Sequence, residues 1–298
     1  MRAYLELLRL PNVFTAMADI LLGFFLTHES PQPWFLLGLL IASSSCLYLS
    51  GMVLNDWFDR AIDARERPER PIPSGRVRAD VASRLGLSLL ALGIICGWAT
   101  SLLVRDWRAG VVATLLAAAV LAYNAFLKST IAGPLMMGSC RMLNVLLGMS
   151  ATQVQWAKAY WVLAAALGLY IVGVTWFART EARRSSRPRL ATGLLVILAG
   201  LGLWASFPTW MDPDLLQGPP RRWQLFAMVI TALIGWRCLR AVIDPRPQLV
   251  QLAVKNCIVS IIVLDAGACL AVKDPYEAML ILVLILPTML AGRWIYST

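Results

Sequence analysis

Histidine is almost absent from this sequence, and acidic residues are few. The 298 residues include one histidine, His28, and 17 Asp and Glu residues. A single histidine excludes a zinc site built from several imidazoles and leaves no catalytic Ser-His pair beyond His28, which the pattern places in a short loop. The six cysteines are scattered through apolar segments without a C-x-x-C pattern, so we interpret them as small buried residues.

Charge of either sign is also scarce. Only 15% of the residues are charged and 59% are hydrophobic, with a mean hydropathy of +0.67, whereas soluble domains are about 25% charged. The apolar residues fall in blocks of roughly 20, the length that spans a bilayer as a helix. We therefore predict an all-α, polytopic transmembrane bundle around a central cavity open at the cytoplasmic side. A soluble protein with large buried helices is the disfavoured alternative.

The apolar blocks predict nine spanning helices and possibly a tenth, within a single transmembrane domain over residues 1–298. They lie near 12–27, 34–54, 85–104, 109–127, 133–149, 158–177, 190–207, 223–242, 255–272 and 276–294.

The net charge of +10 could indicate nucleic-acid binding, but its distribution argues against that class. Most of the 27 Lys and Arg residues fall in alternate loops, above all in 55–84 and 178–189. This asymmetry is the orientation signal of membrane proteins. It predicts a multi-pass integral membrane protein with a cytoplasmic N-terminus, in the inner membrane if the source is bacterial.

The segment after the second apolar block concentrates polar chemistry. If the helix continues through residue 63, Asp56, Asp59 and Asp63 stand at i, i+3 and i+7, and Asn55 shares their face. Clustered carboxylates repel one another unless a cation lies between them, and Mg²⁺ prefers such oxygen ligands together with substrate phosphates. Arg67 and Arg70 follow, ahead of the turn Pro71-Ile-Pro-Ser-Gly75, and could grip phosphate oxygens. The alternative without a binding function is a charged loop with incidental ion pairs.

The pattern N-D-x-x-D-x-x-x-D followed by R-x-x-R-P-I-P-S-G resembles the first signature of the UbiA superfamily of intramembrane prenyltransferases. Arg9-Leu-Pro-Asn12 resembles the opening of the same family. The resemblance implies that Asn55, Asp56, Asp59 and Asp63 hold Mg²⁺, with the three aspartates catalytic. It also implies that Arg67, Arg70 and Asn12 bind substrate. The expected reaction moves a (poly)isoprenyl group from its diphosphate to a lipophilic acceptor, which we expect to be aromatic.

A second aspartate motif of that family is missing. Between residues 107 and 211 the chain has no Asp, and Glu181 is its one acid, surrounded by Arg179, Arg183 and Arg184. Arg179 and Glu181 are candidates for a cationic diphosphate clamp, or the change could mark lost catalysis. A degenerate second motif of this kind resembles the EboC-like branch of the superfamily.

A third cluster is Tyr123-Asn-Ala-Phe-Leu-Lys128. The family often has Tyr and Lys four apart, whereas here they are five apart. Lys128 is therefore carried over alone, as a phosphate contact. Its alternative role is that of a positively charged membrane anchor.

Polar residues inside spans are costly and are functional candidates by default. Arg141 and Asn144 share a helix face, and we expect both to line the cavity and bind substrate. The alternative is a structural ion pair with Asp19 or Asp265.

Three function classes remain open from the sequence. The first is the Mg²⁺-dependent prenyltransferase. The second is a non-catalytic lipid-diphosphate carrier or assembly component with the same fold. The third and weakest is an ion-coupled transporter, because its polar groups should lie at the midplane of broken helices, whereas the strongest cluster here lies at the membrane surface.

Overall fold

The structure, a computed structural model, describes residues 2–179 and 185–294, and all regular elements within those ranges are helical. Short 3₁₀ turns cover Leu10–Asn12, Phe207–Trp210 and Pro213–Leu215, and a π-helical turn covers Tyr123–Leu127. The α-helices are α1 (Arg2–Leu8), α2 (Val13–Thr27), α3 (Trp34–Glu66), α4 (Ala79–Val104), α5 (Arg108–Ala122), α6 (Gly133–Gly148), α7 (Lys158–Ala178), α8 (Arg187–Ala205), α9 (Pro220–Ile243), α10 (Pro247–Leu270), α11 (Pro275–Leu282) and α12 (Ile285–Trp294).

Nine helical segments of the described chain are long and apolar enough to cross a membrane, which confirms a multi-pass integral membrane protein. The C-terminal segment Pro275–Gly292 is among them, although its helix is interrupted between α11 and α12. The predicted fifth block forms α6, whose 16 residues give a length of about 24 Å, short of the roughly 30 Å hydrocarbon core.

Consecutive helices form antiparallel neighbours, most extensively α3 with α4, α7 with α8 and α6 with α7. Helix α2 is the most buried of the nine spans and packs against α3, α6 and α10. Each of the four therefore presents side chains to a shared interior, which is where the polar residues of the spans meet.

Two glycines allow α2 and α6 to touch through their backbones. A Cβ atom on Gly23 would lie 2.5 Å from the Val145 carbonyl oxygen, and one on Gly148 would lie 2.7 Å from the Ile20 carbonyl oxygen. Small residues permit this kind of close helix contact in membranes. The contact sets Asp19 of α2 level with Arg141 and Asn144 of α6.

Helix α3 is the longest element, with 33 residues and a length of about 50 Å. Its first part is apolar, and its last turns, from Asn55 to Glu66, are polar and still helical. The expected continuation of this helix through residue 63 is thus confirmed. A small apolar cluster of Leu7, Val53, Ile72, Val77 and Ala82 ties α1 and the α3–α4 turn to this end of the bundle.

Candidate active site

The polar end of α3 buries two of its carboxylates. Asp56 and Asp63, seven residues apart on one face, are 4% and 5% exposed, and the Asp59 side chain is 21% exposed. The acids therefore do not face bulk water, as a solvated charged loop would. They lie in contact with basic side chains from three other segments.

Arg70 bridges the two buried carboxylates. Its Nη1 lies 2.7 Å from Asp63 Oδ2 and 3.4 Å from Asp56 Oδ1. The α3–α4 turn holds this arginine in place, because the Ser74 hydroxyl donates to the Arg70 carbonyl at 2.7 Å and the Val77 amide donates to the Pro71 carbonyl at 2.9 Å. Gly75 completes the turn with φ of 74°, a conformation that glycine adopts without strain.

Arg9 is a second guanidinium on Asp56, with Nη2 donating to Oδ1 at 3.0 Å. It joins α1 to the following 3₁₀ turn in the left-handed conformation, with φ of 44°. Positive φ is uncommon for residues other than glycine, and such strain concentrates at functional sites. Arg9 was not among the sequence candidates. The Arg9-Leu-Pro-Asn12 pattern is the sequence signal that points to it, although the resemblance implied a substrate role for Asn12 alone.

Lys128 pairs with the third carboxylate, with Nζ 2.5 Å from Asp59 Oδ1. It follows the π-helical turn Tyr123–Leu127, in which the Lys128 amide donates to the Tyr123 carbonyl at 2.9 Å. A π turn accommodates one extra residue within a helix. The spacing of five between Tyr123 and Lys128 therefore spans a single turn, as a spacing of four does in a regular α-helix.

The remaining surface candidates have different surroundings. Arg67 directly follows the last residue of α3 and has no ion-pair partner among the described residues. Arg179 Nη2 donates to the carbonyls of Ser129 and Thr130, at 3.0 and 2.8 Å, and so holds the segment after Lys128. Glu181, with Arg183 and Arg184, lies outside the described residues.

Arg141 and Asn144 lie deeper, in a buried polar cluster between α2, α3, α6 and α10. Arg141 Nη2 lies 2.8 Å from Asp19 Oδ1 and 3.9 Å from Asp265 Oδ2. Asn144 Nδ2 donates to Asp19 Oδ2 at 2.7 Å, and the Ser44 hydroxyl donates to Asn144 Oδ1 at 2.6 Å. These contacts form a structural ion pair between Arg141 and Asp19, which was the alternative to a substrate role in the sequence analysis. The Arg141 side chain is nevertheless 10% exposed, and its substrate role stays a prediction.

Asn12 connects the surface site to this cluster. Its amide donates to the Arg9 carbonyl at 3.2 Å, and its carbonyl accepts from the Thr15 hydroxyl at 2.8 Å. Arg141 Nη2 donates to the Thr15 carbonyl at 2.9 Å, and Tyr48 of α3 lies beside the Asn12 side chain. Polar groups thus follow the interface of α2 and α3 from the surface carboxylates toward the interior.

The donor set of the surface site fits a hard divalent cation. All four candidate ligands, Asn55, Asp56, Asp59 and Asp63, offer oxygen, and Mg²⁺ usually takes one or two carboxylates plus phosphate oxygens. No three His, Cys, Asp or Glu residues in the described chain are close enough together to bind one ion. A metal here would therefore be held by a carboxylate pair and completed by substrate or water.

Comparison with known proteins identifies the family of the chain. The model of the UbiA prenyltransferase family matches residues 16–253. The chain belongs to the UbiA prenyltransferase family.

A curated relative, digeranylgeranylglyceryl phosphate synthase from Ignicoccus hospitalis, is 37% identical over 158 residues, which cover 53% of this chain and 49% of the relative. The chain thus spans about half the length of this relative.

Two solved structures share the fold. One, described as giving insights into the biosynthesis of digeranylgeranylglyceryl phosphate synthase in membranes, has a TM-score of 0.66 at 19% identity and covers 90% of this chain and 98% of that one. The other, a UbiA homologue from Archaeoglobus fulgidus bound to GPP and Mg²⁺, has a TM-score of 0.61 at 14% identity and covers 90% and 99%.

Proposed function

We propose that this chain is a prenyltransferase that moves an isoprenyl group from its diphosphate to a lipophilic acceptor and releases diphosphate. One observation carries the proposal: three carboxylates and three basic side chains meet at the membrane-surface end of α3. Such a site suits a substrate with a polyanionic head and an apolar tail, because the head stays at the surface while the tail enters the bundle. Membership of the family supports the same reaction.

Asn55, Asp56, Asp59 and Asp63 are the proposed Mg²⁺ ligands, and two of the carboxylates at a time would hold an ion. When bound, the ion would stabilise the negative charge that develops on the leaving diphosphate. The site and its metal remain proposals for this chain, supported by the oxygen-only donor set and by the Mg²⁺ bound in the Archaeoglobus fulgidus homologue.

The basic side chains would exchange partners when substrate binds. Arg9, Arg70 and Lys128 now neutralise the three carboxylates at 2.5 to 3.4 Å. A diphosphate at this position offers these cations a stronger set of acceptors. Their transfer to the phosphates would free the carboxylates for metal coordination, so that metal and diphosphate favour one another's binding.

The acceptor is the finer part of the proposal. The sequence led us to expect an aromatic acceptor, whereas the named relatives are digeranylgeranylglyceryl phosphate synthases. Those names favour a lipid of the glyceryl phosphate type, with a hydroxyl nucleophile. Both acceptor classes therefore belong in the assay.

The test uses purified full-length protein with Mg²⁺, labelled prenyl diphosphates of increasing length, and one acceptor of each class. Diphosphate release and prenylated product are measured together. Asp59→Asn should abolish transfer while leaving the amount of folded protein unchanged. Asp80→Asn is the matched control, because Asp80 is an exposed acid that pairs with Arg78 and Arg84 outside the site.

A non-catalytic lipid-diphosphate carrier is the second candidate. The lack of any Asp between residues 107 and 211 favours it. A carrier would bind labelled prenyl diphosphate without releasing diphosphate for any acceptor. Detection of prenylated product would exclude the carrier, and tight binding without turnover in the wild type would exclude the enzyme.

A further inference from the structure

Helix α9 lies at the lipid-facing edge of the bundle, and a surface groove runs between it and α10. Helix α9 packs against α8 and α10 and is less buried than all but one of the spans. The groove has a volume of about 340 Å³ and is lined by Leu233, Trp236, Leu249 and Leu252, together with Arg237 and Arg240. Most of its wall is apolar, and its charge is of one sign.

The two arginines lie on one face of α9, three residues apart and close to its end at Ile243. By helical rise, Arg237 stands about 9 Å and Arg240 about 4.5 Å before that end. Neither has an ion-pair partner in the described parts of the chain. Asp244, the acid of the following turn, is engaged by Arg246, whose Nε lies 2.7 Å from Asp244 Oδ2.

Arg237 and Arg240 are both exposed near the end of a spanning helix, so their unpaired guanidinium groups are available to an anionic partner. Arginine within a spanning helix is costly unless it pairs or extends to the membrane surface. Guanidinium groups bind phosphate oxygens through paired hydrogen bonds, and basic pockets between membrane helices bind anionic lipid head groups. The apolar wall of the groove is continuous with the arginines, so a single molecule with a phosphate and an acyl chain can satisfy both.

We propose that the groove between α9 and α10 binds an anionic glycerophospholipid. Its phosphate lies between Arg237 and Arg240, and an acyl chain lies against Leu233 and Leu252. Because successive spans alternate in direction, this site is at the same end of the bundle as the α3–α4 turn. It does not share residues with the surface carboxylates, so the proposal stands apart from the proposed reaction.

The experiment measures lipid retention by native mass spectrometry on purified full-length protein. The probes are phosphatidylglycerol and phosphatidylcholine with identical acyl chains. The test variant is Arg237→Gln/Arg240→Gln. The matched control is Arg187→Gln/Arg189→Gln, which removes two exposed arginines from α8 at the same end of the bundle.

We expect the wild type and the control variant to retain phosphatidylglycerol in preference to phosphatidylcholine. The groove variant should lose phosphatidylglycerol affinity by about 30-fold, at a free energy near 1 kcal/mol for each basic residue, with an unchanged melting temperature. Equal retention of the two lipids by the wild type would overturn the proposal. So would an equal loss in the control variant, because it would indicate general surface charge.

Discussion

Replacing Arg141 with methionine tests whether the buried cluster is primarily structural. The change removes the cation that lies 2.8 Å from Asp19 and 3.9 Å from Asp265, two carboxylates with no exposed surface. Asp19 would be affected most, because its Oδ1 is the atom that pairs directly with the guanidinium. Methionine has a similar reach and fits an apolar interior, so the lost charge dominates the effect.

The expected loss follows from what remains after the substitution. Removing one partner of a buried ion pair costs about 3–5 kcal/mol. Asp19 keeps the hydrogen bond from Asn144 at 2.7 Å, which places the expected loss near the lower limit, at about 3 kcal/mol, or roughly a hundredfold in the unfolding equilibrium. Ser44→Ala is the mild comparison, since it removes one hydrogen bond to Asn144, worth about 0.6 kcal/mol in a membrane.

The assay is reversible unfolding of the purified protein in mixed micelles, followed by circular dichroism. A triple variant, Arg141→Met with Asp19→Asn and Asp265→Asn, removes the carboxylate charges as well and should recover most of the loss. If Arg141→Met alone costs under 1 kcal/mol, or if the triple variant is no more stable than the single one, the reasoning about buried charge fails. Weaker substrate binding at unchanged stability would instead support the substrate role of Arg141.

Three further predictions concern the site and the packing beneath it. Lys128→Ala should weaken prenyl diphosphate binding by about 10- to 100-fold, which is the value of a hydrogen bond to a charged group. In the same titration Lys128→Arg should bind nearly as the wild type does, and Lys158→Ala, on α7 well away from the carboxylates, should have no effect. Deletion of Phe126, a 76% exposed residue of the π turn, should convert the turn to a regular α-helix and preserve both the melting temperature and diphosphate binding. Loss of folded protein would contradict the interpretation of the π turn as one inserted residue. Gly23→Ala should destabilise the fold by about 1–3 kcal/mol through overpacking, whereas Gly38→Ala, with nothing within 4 Å of its Cβ position, should be neutral or stabilising in the same unfolding assay.

The spans of this protein could be predicted because hydropathy reports burial in lipid directly. All ten apolar blocks form helices, and the acidic pattern after residue 54 correctly indicated that α3 continues beyond its apolar part. The lengths of α6 and of the interrupted pair α11 and α12 could not be predicted. Helix ends in the bundle depend on contacts with neighbouring helices, and those contacts are not encoded in the hydropathy of a single segment.

The partners within the site were harder to predict than its location. Periodicity placed Arg141 and Asn144 on one face but did not say which helix faces them, so Asp19 and Asp265 remained equal alternatives until the packing of α2 was known. Arg9 was missed because its position depends on a left-handed backbone that arginine seldom adopts. The five-residue spacing before Lys128 suggested a departure from the family pattern, and only the π turn shows how the geometry is preserved.

Because α3 is so long, the thickness of the bilayer should affect the position of the carboxylates at its end. One continuous rod of about 50 Å carries both the lipid-embedded segment and the carboxylates. Since a helix adapts to a thicker or thinner hydrocarbon layer by tilting or shifting, the height of Asp56, Asp59 and Asp63 above the head groups changes with acyl-chain length. The thickness of the lipid bilayer used for reconstitution should therefore affect how readily the diphosphate of a membrane-anchored prenyl substrate reaches these acids.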